Sequence, residues 1–495
     1  MLNRKQFLFG LTAFGAVAPR PTLAADDAGK KSGLTAQIAE FVVSSQWQTL
    51  PATLVELSKK HILDALGLAL AGERSQSGPI VRRYLGEMAG GRDRATVLGT
   101  SLRAVPRLAA FANGVAIHAD DYDDTQLAVA KDRVYGLLTH PSVTALPASL
   151  AMAESLGRSG RDFLTAYHLG VEVETKLAEA SNPRAYETGF HSTGLFGIFG
   201  AAVSAAKVRG LDAAGVRTAL GIAGAQASGL RENFGTMTKP FQAGHAAEGG
   251  VMAADLAALG WTAAQNIFEA DAGFFHAVAG GYDADAIAGK LGKPWSFLTP
   301  GISIKPYPSG SLTHPAMDEM GRMVRAHRLV PEQIQSIRVG TNKSMLLTLI
   351  HHRPVTGLEA KFSMEYCMAV LAVDGKAGLG QFTDAAVNRP QVQALLRRVD
   401  FYNNPAADAA GSDKMRSFIE VKLKDGRVLE GAVVDYARGS PKIPMSFDDE
   451  KEKFRDCAGY GGLPAQTAEQ IIAQIVNLER LTDIRGLTRM LARPS

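Results

Sequence analysis

From about Gly33 to Ala288, alanine, leucine and glycine recur at helical spacing, and no long β-branched run interrupts them. A 3.6-residue period buries one face of a helix and leaves no alternation from which to build a sheet. Pro51 marks a helix start, Leu54, Leu57, Ile62, Ala65, Leu66, Ala69 and Leu70 form its apolar stripe, and Gly72 is its stop. Gly194, Gly197, Gly200, Ala201, Ala205 and Ala206 put small residues along another helix face. A phosphate-binding glycine loop follows a strand, and none precedes Gly194, so this run reads as close helix packing.

The pattern changes near Lys305. Ile334 to Val339 alternates like a strand, and Phe418 to Leu423 and Val428 to Val434 flank Lys424-Asp425-Gly426-Arg427, a hairpin turn signal. Helical segments (Pro315 to Ala326, Phe362 to Val373, Pro390 to Arg397) lie between these strands, and Ser446-Phe447-Asp448-Asp449 reads as a capping box opening a last helical stretch. The expected fold is mainly α: a large all-helical domain built from both chain ends (33–302 and 438–492) with a smaller α+β lid domain inserted at 303–437.

Charge narrows the partners. The chain carries 53 Lys and Arg against 49 Asp and Glu, a net +4. Arg4, Lys5 and Arg20 lie in the first 25 residues with no acid among them. These residues read as an export signal: basic start, apolar run Phe7 to Ala18, small residues at Thr22-Leu23-Ala24-Ala25. Arg4-Lys5-Gln6-Phe7-Leu8 resembles the twin-arginine pattern. Cleavage of residues 1–25 would leave a nearly neutral chain, with no basic field for nucleic acid and no membrane contact, and a periplasmic location. Two cysteines, Cys367 and Cys457, are too few for an iron–sulfur cluster or a Cys-rich zinc site, and are expected to be buried free thiols.

Four polar constellations stand out. The first is His118-Ala119-Asp120-Asp121-Tyr122-Asp123-Asp124-Thr125 with Thr139-His140-Pro141-Ser142 after it; four carboxylates this close fold together only with compensating cations or donors. The others are Gly189-Phe190-His191-Ser192-Thr193-Gly194, the stretch Gly229 to Pro240 containing Lys239, and Lys305-Pro306-Tyr307-Pro308 followed by Thr313-His314-Pro315. The prolines hold Lys305 in extended backbone. Asp120 to Asp124 also fits the Asp-Asp-x-x-Asp pattern that holds magnesium in all-helical synthases, but no second metal motif follows. A non-catalytic polycarboxylate-binding protein is a further reading, with no doubly wound βαβ pattern to support it.

These motifs, with Lys361-Phe362-Ser363-Met364-Glu365-Tyr366, occur in the same order in the MmgE/PrpD family, which the chain resembles from about residue 35 to 490. The resemblance implies a helical domain plus an α+β lid, a homodimer, and a cofactor-independent, metal-free lyase of the 2-methylcitrate dehydratase type acting on a small di- or tricarboxylate. Epimerisation and cis-aconitate-like decarboxylation are open to the same scaffold. It further implies Asp121, His140, Lys239 and Tyr366 as catalytic and Thr125, His191 and Lys305 as substrate-binding. Removing a proton next to a carboxylate builds negative charge that Lys239 and Lys305 would stabilise, with Thr125 and His191 as donors. His140, oriented by Asp121, would be the acid/base, and Tyr366 a further proton donor or substrate ligand. The span from Thr125 to His140, holding Lys131, Asp132, Arg133 and Tyr135, is longer than in the decarboxylases of the family and is expected to reshape the pocket.

Overall fold

The computed structural model describes residues 33–493 apart from 89–94, 127–128, 131–132, 135–138, 182–183 and 412–413. The segment read as an export signal, and Lys131, Asp132 and Tyr135, therefore lie outside the described residues.

The fold is mainly α. The helices that matter here are α1 (Ala52–Gly72), α2 (Pro106–His118), α3 (Ser142–Leu156), α4 (Gly160–Ser181), α5 (Ser192–Arg209) and α6 (Thr238–Ala258). They are followed by α7 (His314–His327), α8 (Met364–Asp374), α9 (Pro390–Leu396) and α10 (Phe447–Tyr460). The stripe read after Pro51 is α1, whose Leu54, Ile62, Leu66 and Leu70 are buried. The small-residue run lies in α5, and its role is packing: a Cβ on Gly200 would stand 2.9 Å from the Gly170 carbonyl of α4, and one on Gly197 2.5 Å from Thr144 of α3. α6 packs against both α5 and α2.

Two apolar cores result. One draws Ile38, Leu54, Ile62, Phe199 and Val251 together with Phe454, Ile471 and Leu487 from near the other chain end. The second is built within residues 312–423 from Met317, Met320, Ile337, Met364, Tyr366, Leu395 and Val421. Cys367 belongs to the second and Cys457 to the first, and both are free and buried.

The second core backs a four-stranded sheet of β1 (Ile334–Thr341), β2 (Val399–Asn403), β3 (Phe418–Leu423) and β4 (Val428–Glu430), in the order β2-β1-β3-β4. β1 runs parallel to β2, with Ile337 opposite Val399, and antiparallel to β3, with Ile337 opposite Val421. The strand expected over Val428 to Val434 ends at Glu430. Gly431 N–H still bonds the Ile419 carbonyl of β3, Ala432 N–H turns aside to Glu319 Oε1, and Val434 pairs again with Ser417 through an isolated antiparallel bridge. β2 escaped the sequence reading because Val399-Asp400-Phe401-Tyr402-Asn403 is a half-exposed edge strand whose short apolar pattern is broken by Asp400 and ends on Asn403. α10 opens with the expected cap, Ser446 Oγ accepting from Asp449 N–H. Among the described residues no helix is long and apolar enough to cross a membrane.

Candidate active site

Four helix ends meet at one place. α2 finishes on His118, α3 starts two residues after His140, α5 starts directly after His191, and α6 carries Lys239 in its first turn. Three of these ends are N-termini, whose unpaired N–H groups favour negative charge nearby. Between α2 and α3 the chain turns at Asp121, which adopts φ +50°, a left-handed conformation that aspartate tolerates better than most side chains. It then runs extended, and Thr125 exchanges both backbone hydrogen bonds with Ser303 (2.8 and 2.9 Å), which brings Lys305 alongside Asp121.

A continuous chain of charge contacts follows. Lys305 Nζ donates to the Asp121 carbonyl at 2.9 Å and lies 3.1 Å from Asp121 Oδ1. Lys239 Nζ donates to the same Oδ1 at 2.6 Å and to His118 Nε2 at 2.8 Å. His118 Nδ1 is 2.9 Å from Asp123 Oδ1. His140 Nδ1 lies 2.9 Å from both Asp123 Oδ2 and the Asp124 carbonyl, with Thr125 Oγ1 at 3.1 Å. A carbonyl only accepts, so His140 carries a hydrogen on Nδ1. The same logic applies to His191: Gln242 Nε2 donates to the Leu230 carbonyl, so Gln242 Oε1 accepts from His191 Nδ1 at 2.6 Å. His191 Nε2 is buried with no hydrogen-bond partner among the described residues, as is Asp121 Oδ2. The imidazole of His118 stacks on that of His191 at 5.8 Å and lies 4.7 Å from that of His140.

All of these groups are buried, and burial sets the baseline. It would raise Asp121, but Lys239 and Lys305 hold that carboxyl well below the usual range; His118 and His140 do the same for Asp123. Burial and then the Lys239 charge depress His191 far below an ordinary imidazole. Burial is also the main reason His118 falls to about 4, against the pull of Asp123. Burial lowers Lys239, opposed by Asp121. The resting cluster thus holds two carboxylates against two ammonium groups, with His118 and His191 neutral. Each ammonium keeps one N–H not used by these contacts, since Lys239 spends two on Asp121 and His118 and Lys305 spends two on Asp121.

Donor atoms of His118, His140 and His191 lie within 4.8 Å of one another, as do those of His118, Asp121 and Asp123. A metal in either group would compete with the Lys239 ammonium already on His118 Nε2 and Asp121 Oδ1. The Asp-Asp-x-x-Asp pattern is divided among partners: Asp120 pairs with Lys361 at 2.8 Å, Asp121 with the two lysines, and Asp124 with His61 at 2.8 Å.

Asp121, Thr125, His140, His191, Lys239 and Lys305 therefore come together as the sequence suggests, with three corrections. The carboxylate in contact with His140 is Asp123, because the turn at Asp121 sends that side chain to the lysines instead. His191 presents a lone pair and not an N–H, because Gln242 takes its hydrogen. Tyr366 is not a neighbour of the cluster: its hydroxyl donates to the Gln381 carbonyl and its ring packs against Phe382 in the second core. His118, Asp123 and Gln242 were missed as site residues. Gln242 stands one helical turn after Lys239 and so shares its face, a signal present in the sequence. Phe234 and Phe362, stacked at 5.6 Å, lie beneath the Lys239 ammonium at 5.5 and 5.7 Å. His245, outside the cluster, stacks on Phe241.

Fold and site together define a class: a mainly helical protein with a buried, charge-compensated centre of ammonium groups, carboxylates and imidazoles. The chain belongs to the MmgE/PrpD family, matching the models of its N-terminal domain over residues 36–286 and its C-terminal domain over residues 307–479. It is 32% identical to a cis-aconitate decarboxylase of Homo sapiens over 460 residues, covering 89% of this chain and 91% of that protein. A cis-aconitate decarboxylase of Aspergillus terreus is 26% identical over 496 residues (94% and 98%). A 2-methylcitrate dehydratase of Cupriavidus necator is 25% identical over 459 residues (86% and 90%). Decarboxylases and a dehydratase are all lyases, and a lyase-type activity is what this membership supports.

Proposed function

We propose that the protein is a cofactor-independent lyase acting on a small di- or tricarboxylate by proton transfer at a carbon next to a carboxylate. The observation that carries this reading is the pair of ammonium groups, each with one N–H to give, set beside the packed imidazoles of His118, His140 and His191. Carboxylate oxygens of the substrate would take those two N–H groups. An arriving polyanion favours the charged form of a neighbouring imidazole, which arms it as an acid. His140, braced through Nδ1 by Asp123 and the Asp124 carbonyl, is the acid of this account, and His191 Nε2 presents a lone pair within the same cluster.

Decarboxylation of an unsaturated tricarboxylate is the favoured reaction, because the decarboxylase relative is more similar than the dehydratase (32% against 25%). The electrons of the broken carbon–carbon bond pass into the carbon chain beside a remaining carboxylate, carbon dioxide leaves, and His140 supplies the proton to carbon. Dehydration of a β-hydroxy acid is the second reading, supported by the Cupriavidus necator relative; there a proton leaves carbon and the hydroxyl departs as water. Export to the periplasm and a homodimer belong to the same proposal.

The test is incubation of the folded, processed protein with cis-aconitate, citrate and 2-methylcitrate, followed by NMR. Turnover of one of them supports the reading. A wider panel of di- and tricarboxylates left unchanged, with no hydrogen exchange in deuterium oxide, would refute it.

A further inference from the structure

The cluster rests on two short extended segments, residues 122–125 and 303–305. The Thr125–Ser303 pair fastens one end of them. Asp121 lies past the other end, in its left-handed turn, where no such ladder reaches it. A third lysine acts at that end. Lys453, on α10, is buried, and its Nζ donates to the Tyr122 carbonyl at 2.9 Å and to the Lys305 carbonyl at 2.8 Å, and pairs with Asp64 Oδ1 of α1 at 2.7 Å. The ammonium thus makes two hydrogen bonds to carbonyls and one buried ion pair. The ammonium also sits 3.8 Å from the centroid of the Tyr122 ring, whose hydroxyl donates to the Pro306 carbonyl at 3.3 Å.

Tyr122 follows Asp121, and Lys305 is the residue whose ammonium grips Asp121. One side chain of the C-terminal part thus ties together the backbones that carry both halves of the Asp121–Lys305 contact.

We propose that Lys453 is a positioning residue: held by Asp64, it sets the separation of the Lys305 ammonium from Asp121 and so the place where a substrate carboxylate is received. The proposal deepens the lyase reading and shares its site. Lys453 itself touches neither Asp121 nor an imidazole, so its effect runs through the two carbonyls. An uncompensated pair of buried carbonyls would relax by moving apart, and a displacement of about 1 Å at reacting groups costs about 10²-fold in rate.

The experiment compares Lys453→Met, Lys453→Arg and Asp64→Asn with the parent. Crystal structures supply a readout that needs no turnover: in Lys453→Met, Lys305 Nζ is expected to leave hydrogen-bond distance of the Asp121 carbonyl. In kinetics, kcat is expected to fall by about 30- to 100-fold with KM changed less than about threefold, and Lys453→Arg to recover part of that loss. A folded Lys453→Met with the Asp121–Lys305 contact intact, or with parental kcat, would overturn the proposal, as would an Arg variant no better than Met. Should Lys453→Met fail to fold, Asp64→Asn, which removes only the counter-charge, carries the same two readings. A parent without turnover would defeat the lyase reading and leave the crystallographic arm to decide this one.

Discussion

Helix α4 and the candidate site bury ionisable groups equally deeply, and the outcomes are opposite. On α4, burial pushes His168 down to about 3, and neither of its ring nitrogens has a hydrogen-bond partner among the described residues. Burial raises Glu172 to about 7 despite hydrogen bonds from the Gly292 and Ser296 amides, and raises Glu174 well above the usual range although Thr144 donates to it at 2.7 Å. Those groups escape the cost of burial by losing charge. At the site Asp121 and Asp123 keep theirs, because lysines and imidazoles stand within 3.1 Å. Burial alone switches a charge off; the site is where the fold supplies ammonium charges and imidazole N–H donors to keep it on. A cluster maintained in this way is poised to receive further charge.

The comparison can be broken first at its strongest point. Lys239→Met leaves Asp121 with one ammonium and frees His118 Nε2, and kcat is expected to fall by about 10³-fold, as for loss of a charge-stabilising group. Steady-state kinetics decide it, and a drop below about tenfold would mean that Lys239 serves packing alone. Next, Asp123→Asn removes the carboxylate shared by His118 and His140; turnover is expected to fall by about 10²-fold while circular dichroism stays unchanged.

The α4 side predicts stability and not rate. Glu172 has a folded-state pKa of about 7 against an ordinary 4.5, so the folded protein holds this proton more tightly than the unfolded chain. Its contribution is complete below pH 4.5 and lost as pH rises through about 7. Glu172→Gln cannot titrate, and urea unfolding from pH 4 to 8 should show a flatter decline for the variant, with turnover close to parental. Asp121 and Asp123 carry the opposite sign, their contribution being lost as pH falls below the ordinary carboxylate range. The smallest rate effect is expected for Tyr366→Phe: kcat within about twofold, with about 1–2 kcal/mol of stability lost because the Gln381 carbonyl loses its donor.

Much of this was legible in the sequence, for local reasons. Helical periodicity marked α1 and α5, Ser446 marked the cap of α10, and rigid polar loops marked where Lys239, Lys305, His140 and His191 would lie. The pairing was not legible. Four carboxylates within five residues give no indication of which one meets which cation; the left-handed turn at Asp121 decides that, and it is a backbone event. Tyr366 misled because its motif is split by a helix cap. Lys361 and Phe362 reach the site, Lys361 pairing with Asp120 and Phe362 stacking on Phe234, whereas Ser363 caps α8 and turns Tyr366 into the second core. β2 was hidden by its exposed edge and non-local pairing.

The most direct test is a crystal structure of the His140→Asn protein, disabled for turnover, soaked with cis-aconitate. Two carboxylate groups should be bound by the Lys239 and Lys305 ammonium groups, with a carbon of the ligand about 3–3.5 Å from the side chain at position 140. A ligand seated elsewhere, with both lysines still closed on Asp121 alone, would contradict the account.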